Sequence, residues 1–250
     1  MGQDETISAA RPRVVKAPAV RRAELIDCAQ RLFLRQGYER TTINEVISAT
    51  GLSKGAFYHH FRSKEDLLEA IAGGFARQSV AFVDELRATQ GLNALQRLNR
   101  LLAFGREWKL QHVAELKAMF TTLLKPQNAV LYHRIVEAVF SELAPALAAI
   151  IDEGEHEGVF AAGDARTAAD TLLWLSNARR PIVIAALALA ETDVEAGLAM
   201  LVRRLRAEEA ITGRILGLPV GAVELLGSLD ELRAIVAGWR AAAQGSPAAV

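Results

Sequence analysis

The sequence predicts an all-α protein in which a small N-terminal helix-turn-helix domain precedes a larger helical domain. Three observations support this fold class. Proline is scarce, with seven residues in 250, while alanine and leucine are abundant, and this composition favours helices. Apolar residues recur at helical spacing along most of the chain, and the sequence has no alternating strand pattern. Three helix-start signals also lie close together within residues 41–68.

The chain divides into four predicted segments. Residues 1–18 are polar and basic and are expected to form a disordered tail, and residues 244–250 a second one. Between them, residues 19–68 are predicted to form the helix-turn-helix domain, and residues 69–243 the larger helical domain. The basic N-terminal tail either keeps the protein soluble or acts as an arm that enters the minor groove of DNA.

Charge is unevenly distributed along the chain. The formal net charge is zero, yet residues 1–64 contain eleven Lys and Arg against six Asp and Glu. This local excess of five positive charges is balanced by an equal negative excess in the remaining residues. A basic N-terminal region followed by an acidic body is typical of a DNA-binding domain joined to a second domain.

The first two helices have clear ends in the sequence. Helix 1 is predicted over residues 20–36, where apolar residues recur at helical spacing and Gly37 ends the helix. Helix 2 begins after Thr42, which is positioned to cap it, and Glu45 completes a capping box. Gly51 follows at the position where a left-handed residue is needed.

The next two helices are predicted from the same kind of pattern. Ser53 is expected to cap helix 3 over residues 54–60, and Ser63 to cap helix 4 over residues 64–88. Asp66 is expected to close a second capping box. Helices 2 and 3, joined by a tight turn that contains glycine, form a helix-turn-helix, whose second helix can lie in the DNA major groove.

The rest of the chain is also predicted to be helical. Residues 91–126 are predicted to form two helices, and residues 128–154 one helix that Pro145 could kink. Asp164 is expected to cap the next helix, which Pro181 breaks or bends. The last two predicted helices run from Thr192 or Asp193 to about residue 217, and over residues 229–243, where the pattern is amphipathic.

The positions of two lysines suggest that this helix-turn-helix contacts DNA. Lys54 and Lys64 each lie in the first turn of a predicted helix, where the helix dipole disfavours a cation but favours a bound anion. Two such positions ten residues apart suggest contacts with two phosphates of one DNA backbone. A single lysine of this kind would be interpreted as a solvated surface residue.

The exposed face of helix 3 completes the predicted DNA surface. Phe57 and Phe61 are four residues apart and are expected to point inward. Gly55 and Ala56 are small enough for a close approach to base edges, and Ala56 could contact a thymine methyl group. An alternative interpretation packs His60 against the core. The predicted DNA contacts are Thr42, Lys54, Gly55, Ala56, Tyr58, His59, His60 and Lys64.

One continuous pattern covers roughly 45 residues, from residue 25 to 68. Its residues are Ala29, Phe33, Gly37-Tyr38, Thr41-Thr42, Gly51-Leu52-Ser53-Lys54-Gly55, Tyr58-x-His60-Phe61 and Ser63-Lys64-Glu65. This pattern resembles the DNA-binding domain of the TetR/AcrR (tetracycline-repressor) family of bacterial transcriptional regulators. The chain departs from the family in helix 2, where Ile47 and Thr50 stand in place of the usual alanines.

The resemblance implies a homodimeric repressor that binds a palindromic double-stranded DNA operator and is released by a small molecule. It implies that Tyr58 and His60 contact phosphate and that helix 4 links the DNA-binding domain to a regulatory and dimerisation domain. Residues 164–190 and 193–216 would then pair with their copies in a four-helix bundle. The contrasting hypothesis is an α-helical enzyme or adaptor that retains the helix-turn-helix as a fold element without a DNA function.

Large apolar residues from separate helices of the second domain are predicted to line a ligand pocket, although such residues could equally be ordinary core. Large aromatic side chains leave gaps between helices, and polar residues lie close to them in the sequence, which is typical of ligand sites. The expected ligand is apolar or amphipathic. The predicted pocket residues are Phe104, Trp108, Met119, Phe120, Tyr132, Phe140 and Trp174.

Motifs for catalysis or metal binding are absent from the sequence. It has no phosphate-binding glycine loop, nucleophile elbow or zinc-ligand spacing. His133 and Glu137 are four residues apart, as are Asp152 and His156, and both are interpreted as surface pairs. We therefore expect no enzyme activity, no metal and no cofactor.

Localisation is predicted from what the chain lacks. The N-terminus is polar and shows no signal peptide, and the longest apolar run, residues 182–190, is about half the length of a membrane span. The single cysteine, Cys28, precludes an internal disulfide and is interpreted as a small core residue. These features predict a cytoplasmic protein without a membrane partner.

Overall fold

The computed structural model describes residues 17–123 and 125–244, without the side chains of Phe75 and residues 242–244. Both predicted tails therefore lie almost wholly outside the described residues. Within those ranges the structure contains helices and no strand. The helices are α1 Pro18–Gln36, α2 Ile43–Thr50, α3 Lys54–His60, α4 Lys64–Ala88, α5 Ala94–Gln111, α6 Val113–Leu123, α7 Ala129–His156, α8 Ala165–Ala178, α9 Arg180–Leu189, α10 Val194–Ile215 and α11 Leu229–Gln244.

The all-α prediction is confirmed, and the helix ends explain why. Thr42 caps α2 and forms the predicted capping box with Glu45, and Gly51 ends α2 in the left-handed region at φ 66°. The hydroxyl of Ser53 accepts from the backbone N–H of Ala56 and so caps α3. Each boundary is therefore fixed by hydrogen bonds between residues close in sequence.

The second predicted capping box is not formed. Ser63 caps α4 by accepting from the backbone N–H of Asp66 at 3.1 Å, as expected. The Asp66 carboxylate, however, accepts from the backbone N–H of Arg62 at 3.0 Å and pairs with Arg134 of α7 at 2.7 Å. The acid therefore ties the start of α4 to a distant helix, a contact that the local pattern could not predict.

Prolines mark two places where the structure refines the prediction. Helix α7 continues through Pro145 as one element, so this residue does not end it. Pro181 lies in the first turn of α9, just after α8 has ended at Ala178. A proline is tolerated in that first turn because its missing N–H would have no helical partner there.

The DNA-binding domain is built around one hydrophobic core. Leu25, Val46 and Phe57 are fully buried and bring α1, α2 and α3 together. Leu123 of α6 and Ile135 of α7 belong to the same cluster, so the larger domain contributes to this core. Cys28 is buried there as predicted, beside the backbone of Val46.

The larger domain is a layered helical assembly. Helix α4 packs mainly on α7, α7 on α8, and α9 on α10. Gly197 allows the last pair to approach closely, because a Cβ atom there would lie 2.4 Å from the carbonyl oxygen of Ala186. Helix α11 covers the end of α5 and α6, burying Val236 and resting Trp239 on Phe120 at 6.1 Å between ring centroids.

Candidate nucleic-acid interface and ligand cavity

The helix-turn-helix presents one side of α3 to solvent. Phe57 is fully buried and holds the helix against α1 and α2, which fixes the direction of its other side chains. Lys54, Gly55, Tyr58 and His59 are exposed, while Ala56 and His60 are half-buried. The structure therefore brings the six predicted residues of this helix onto one accessible surface.

Cations from α1 extend this surface. The Arg22 guanidinium lies 5.1 Å from the centre of the Phe61 ring, next to the end of α3. Partial burial lowers the pKa of His60, and His59, Arg22 and Arg21 lower it further. Arg21 and Arg22 therefore place positive charge beside the exposed aromatic and imidazole side chains of α3, which is the electrostatic character that a phosphate backbone requires.

Thr42 lies at the start of α2 and is exposed. Its hydroxyl accepts from the backbone N–H of Glu45 at 3.2 Å and donates to the Glu45 carboxylate at 2.9 Å. The same carboxylate accepts from the Thr42 backbone N–H at 2.7 Å. Thr42 is thus engaged in holding the helix end that it caps.

Lys64 is the first residue of α4, as predicted, but its side chain already has partners within the protein. Its ammonium turns back into the protein and donates to the carbonyl oxygens of Tyr38 at 2.8 Å, Thr41 at 3.1 Å and Glu39 at 3.4 Å. It also lies 4.1 Å from the centre of the Tyr38 ring. Since an ammonium has three donors, this conformation leaves none for a phosphate. Lys64 therefore organises the turn between α1 and α2.

Tyr38 is held from a second side in the same turn. Its hydroxyl donates to Oε1 of Glu65 at 2.9 Å, and its ring packs edge-on against Phe33 at 5.1 Å. Burial, followed by the hydrogen bond to Glu65, raises the pKa of the Tyr38 phenol well above its usual range. The phenol stays protonated and keeps donating, so this contact is stable across physiological pH.

A cavity of about 1110 Å³ runs through the larger domain. Its lining comes from α1, α4, α5, α6, α7, α8, α9, α10 and α11 and is mostly apolar. Five of the predicted pocket residues line it. They are Trp108, Met119, Phe120, Tyr132 and Phe140.

Two predicted pocket residues lie elsewhere. Phe104 stacks on Phe82 of α4 at 4.6 Å and does not line the cavity. Trp174 is 44% exposed on the outer side of α8 and packs edge-on against Phe140 at 5.3 Å. The prediction placed both by residue type, whereas helix rotation turned one towards α4 and the other outward.

Part of the cavity wall is charged, and the sequence prediction missed it. Glu208 of α10 is 1% exposed and pairs with Arg179 at 3.1 Å and with Arg204 at 2.6 Å. Lys109 of α5 lines the same cavity. Burial, followed by Arg179 and Arg106, lowers the pKa of Lys109 to about 8, while Glu208 opposes that shift. These residues sit on three distant segments, so no sequence spacing could reveal them.

Polar contacts also order the lining next to these charges in the sequence. The Tyr132 hydroxyl donates to Oδ1 of Asn177 at 2.5 Å, and Arg180 lies 4.1 Å from the centre of the Tyr132 ring. Trp108 stacks on His112 at 4.4 Å. The cavity therefore combines a large apolar volume with a few fixed polar groups, which is the composition of a small-molecule site.

Two further features of the described residues bear on the predicted absences. Residues Ala165–Leu189 form one stretch long and apolar enough, by length and composition only, to cross a membrane, and 17% of its window is buried within the chain. Within the described ranges, no group of three or more His, Cys, Asp and Glu side chains is arranged to hold a metal ion. His133 and Glu137 form an exposed pair at 3.1 Å, as predicted for a surface pair.

Comparison with known proteins agrees with this architecture. Residues 25–71 match the family described as bacterial regulatory proteins, tetR family. The chain is 36% identical over 87 residues to the HTH-type transcriptional repressor KstR2 of Rhodococcus jostii, covering 35% of this chain and 42% of that protein. It is 32% identical over 128 residues to the HTH-type transcriptional repressor Rv1474c of Mycobacterium tuberculosis, covering 44% and 67%.

A solved structure extends the likeness to the larger domain. The Thermus thermophilus repressor FadR, crystallised in complex with lauroyl-CoA, superimposes with a TM-score of 0.50 at 20% identity. The match covers 92% of this chain and 96% of that one, and shows a shared fold. The matched N-terminal residues and the alignment over two thirds of the length of Rv1474c identify the chain as a member of the TetR family of bacterial regulatory proteins.

Proposed function

We propose that this protein is a homodimeric transcriptional repressor that binds a palindromic operator and leaves it when a small apolar or amphipathic ligand enters the cavity. The observation that carries the proposal is the exposed face of α3. Its side chains project from a helix that the buried Phe57 holds in place, beside Arg21 and Arg22 of α1. An enzyme or adaptor would have no use for such a patch.

On this proposal, the contacts divide into two kinds. Gly55 and Ala56 would approach base edges, because neither has a side chain large enough to keep the helix out of the major groove. Lys54, Tyr58, His59 and His60 would contact phosphates, with Thr42 at the first turn of α2. Lys64 would support these contacts by fixing the turn before α2, without contacting DNA itself.

The dimer would form through α8 and α10. Trp174 and Ile211 are 44% and 38% exposed on these helices, and most of the apolar stretch Ala165–Leu189 is not covered within the chain. A second copy packed on this surface by a two-fold axis would bury it. The same axis would relate two copies of α3, as a palindromic site requires.

A ligand in the cavity could act on the DNA-binding domain directly. Ile26 and Phe33 of α1 line the cavity together with residues of α5 to α8. A ligand that fits one orientation of α1 better than another would change the spacing of the two α3 helices. DNA release and ligand binding would then be linked, so each would weaken the other.

Selection of bound sequences from random double-stranded DNA tests the first half of the proposal. We expect enrichment of one inverted repeat by the wild-type protein and none by the Lys54→Ala, Tyr58→Ala double variant. A matched control is Lys125→Ala, which removes a partly exposed lysine that pairs with Glu39 outside α3. Failure of the folded wild-type protein to enrich any sequence would favour the enzyme or adaptor hypothesis.

Sedimentation at micromolar concentration tests the dimer. We expect the wild-type protein to sediment as a dimer, and Trp174→Glu with Ile211→Glu to sediment as a monomer. Val220→Glu is the control, since Val220 is 94% exposed in the loop before α11. A wild-type monomer, or a dimer untouched by the first two substitutions, would contradict the proposed interface.

A further inference from the structure

We propose that the ligand of the cavity is an amphiphile with one compact anionic head group, and that Lys109 binds this head group while the tail occupies the apolar part of the cavity. The inference rests on the proposed function and names its ligand class. A carboxylate is the simplest head group of this kind.

Lys109 is a cavity-lining cation that the fold leaves without a counter-charge. It is an exposed residue, and its side chain lines the cavity. Among the described residues, no carboxylate lies within ion-pair distance of its Nζ atom. The protein around the cavity weakens the hydration of this ammonium, as the lowered pKa of Lys109 indicates, without supplying a counter-charge. An incoming anion would supply that charge.

The neighbouring charges are already paired, and this makes Lys109 the free partner. Glu208 is shared by Arg179 and Arg204. Arg106 pairs with Glu231 at 3.3 Å. The cluster formed by Arg106, Lys109, Arg179 and Arg204 thus holds four cations against the two carboxylates of Glu208 and Glu231. The field at this wall of the cavity attracts an anion.

A second polar group lacks a partner in the same cavity. Ser79 of α4 is 2% exposed, lines the cavity, and its hydroxyl has no hydrogen-bond partner among the described residues. It lies one helical turn before Phe82, which stacks on Phe104 of α5. Since buried hydroxyls are ordinarily hydrogen-bonded, Ser79 would gain its missing partner from a ligand oxygen that reached it.

The rest of the lining sets the other half of the ligand. Met119, Phe120, Phe140 and Leu143 offer apolar surface, and the cavity volume of about 1110 Å³ is ample for a hydrocarbon chain. A single negative charge matches Lys109, the one cation of this cluster that has no carboxylate partner among the described residues. We therefore infer a head group with a single negative charge held inside the cavity.

Isothermal titration of the full-length protein with three probes tests the inference. We expect decanoate to bind, and 1-decanol to bind about ten- to a hundredfold more weakly, because a charge-assisted hydrogen bond is lost. Decanoyl-CoA is the third probe, since it shares the tail but not the compact head group. Binding of decanol as tight as that of decanoate, or of decanoyl-CoA tighter than decanoate, would overturn the assignment.

Substitution of Lys109 assigns the effect to this residue. Lys109→Met should reduce decanoate affinity about ten- to a hundredfold and leave decanol affinity within about threefold, while Lys109→Arg should restore most of the decanoate affinity. Lys117→Met is the matched control, because Lys117 lines the same cavity but already donates to the Trp239 carbonyl at 2.9 Å. Retained discrimination between decanoate and decanol in Lys109→Met would remove Lys109 from the site.

The pH dependence provides a readout that misfolding would not imitate. The charged groups that act on Lys109 are Arg179, Arg106 and Glu208. Decanoate affinity should fall as pH rises above about 8, as the ammonium loses its proton, and decanol affinity should stay level.

DNA binding is measured separately by fluorescence anisotropy on the selected operator. If decanoate binds through Lys109 but no operator exists, the ligand class stands and the proposed function fails. If the operator is bound and decanoate does not bind through Lys109, the proposed function stands and this inference fails.

Discussion

The DNA-binding domain and the cavity-containing domain differ in how completely their helices bury large side chains. In the first, Leu25, Val46 and Phe57 are fully buried, and the helix ends are closed by side-chain caps. In the second, Trp108, Phe120 and Tyr132 are only half-buried because they border an open volume. A closed core fixes the shape that must match DNA, while an open core leaves free energy to be gained when a ligand fills it.

Two lysines express the same contrast. The ammonium of Lys64 is satisfied by three backbone carbonyls within its own domain. Lys109 is an exposed residue that lines the cavity, and no carboxylate of the described residues pairs with its ammonium. Lys64 therefore stabilises the fold of its own domain, whereas Lys109 has no carboxylate partner among those residues and is proposed to bind a ligand.

The largest expected effect comes from deleting equivalent rings in the two domains. Phe57→Ala should cost about 3–5 kcal/mol of unfolding free energy, because it opens a cavity in a closed core. Phe120→Ala should cost less than about 2 kcal/mol, since its ring already borders empty space and has fewer contacts to lose. Urea unfolding followed by circular dichroism measures both free energies. Equal losses of unfolding free energy in the two variants would mean that the two domains are packed equally tightly.

A smaller effect is expected at Lys64. Lys64→Met should lower stability by about 1.5–3 kcal/mol, because it removes a charged donor from three carbonyls. The slope of log affinity against log salt for DNA should not change, since the ammonium is not available to phosphate. Unfolding curves and salt titrations of DNA binding check this. If the salt slope of Lys64→Met were lower by about one unit and its stability unchanged, Lys64 would contact a DNA phosphate.

Lys54 should behave in the opposite way. Lys54→Ala should lower the salt slope by about one unit and weaken binding to cognate and random DNA alike, as loss of one phosphate contact requires. Its effect on stability should stay within about 0.5 kcal/mol, because the side chain is exposed. Salt titrations on both DNAs measure the slope, and an unchanged slope would take Lys54 out of the interface.

The smallest expected effect is a pH dependence of stability that belongs to the cavity. Burial lowers the pKa of Lys109 to about 8 from its ordinary value of 10.5. Between these pH values the unfolded chain binds the proton and the folded protein does not, so stability should rise with pH across this window. Lys109→Met should remove that rise and leave the rest of the profile unchanged. Thermal unfolding of both proteins from pH 7 to 10.5 tests this expectation. Identical stability profiles of the wild type and Lys109→Met would mean that the pKa of Lys109 is not lowered.

The DNA-binding domain could be predicted almost residue by residue because its structure is set locally. The capping box of Thr42 and Glu45, the left-handed Gly51 and the Ser53 cap each depend on residues at most four apart. The local pattern did not predict the contacts of Lys64, whose partners lie 23 to 26 residues away. It was wrong about the capping box of Asp66, whose Arg134 contact spans 68 residues. Spacing within a helix carries no information about such contacts.

The sequence by itself determined the helices, their ends and the surface of α3, because periodicity and capping act between neighbours along the chain. Only the tertiary structure decided which large side chains face the cavity, turning Trp108 inward and Trp174 outward. Only it brought Lys109, Arg179 and Glu208 to one wall from three separate segments. Packing between helices sets the rotation of each helix and determines which charged side chains lie close together. Both depend on residues far apart in the chain.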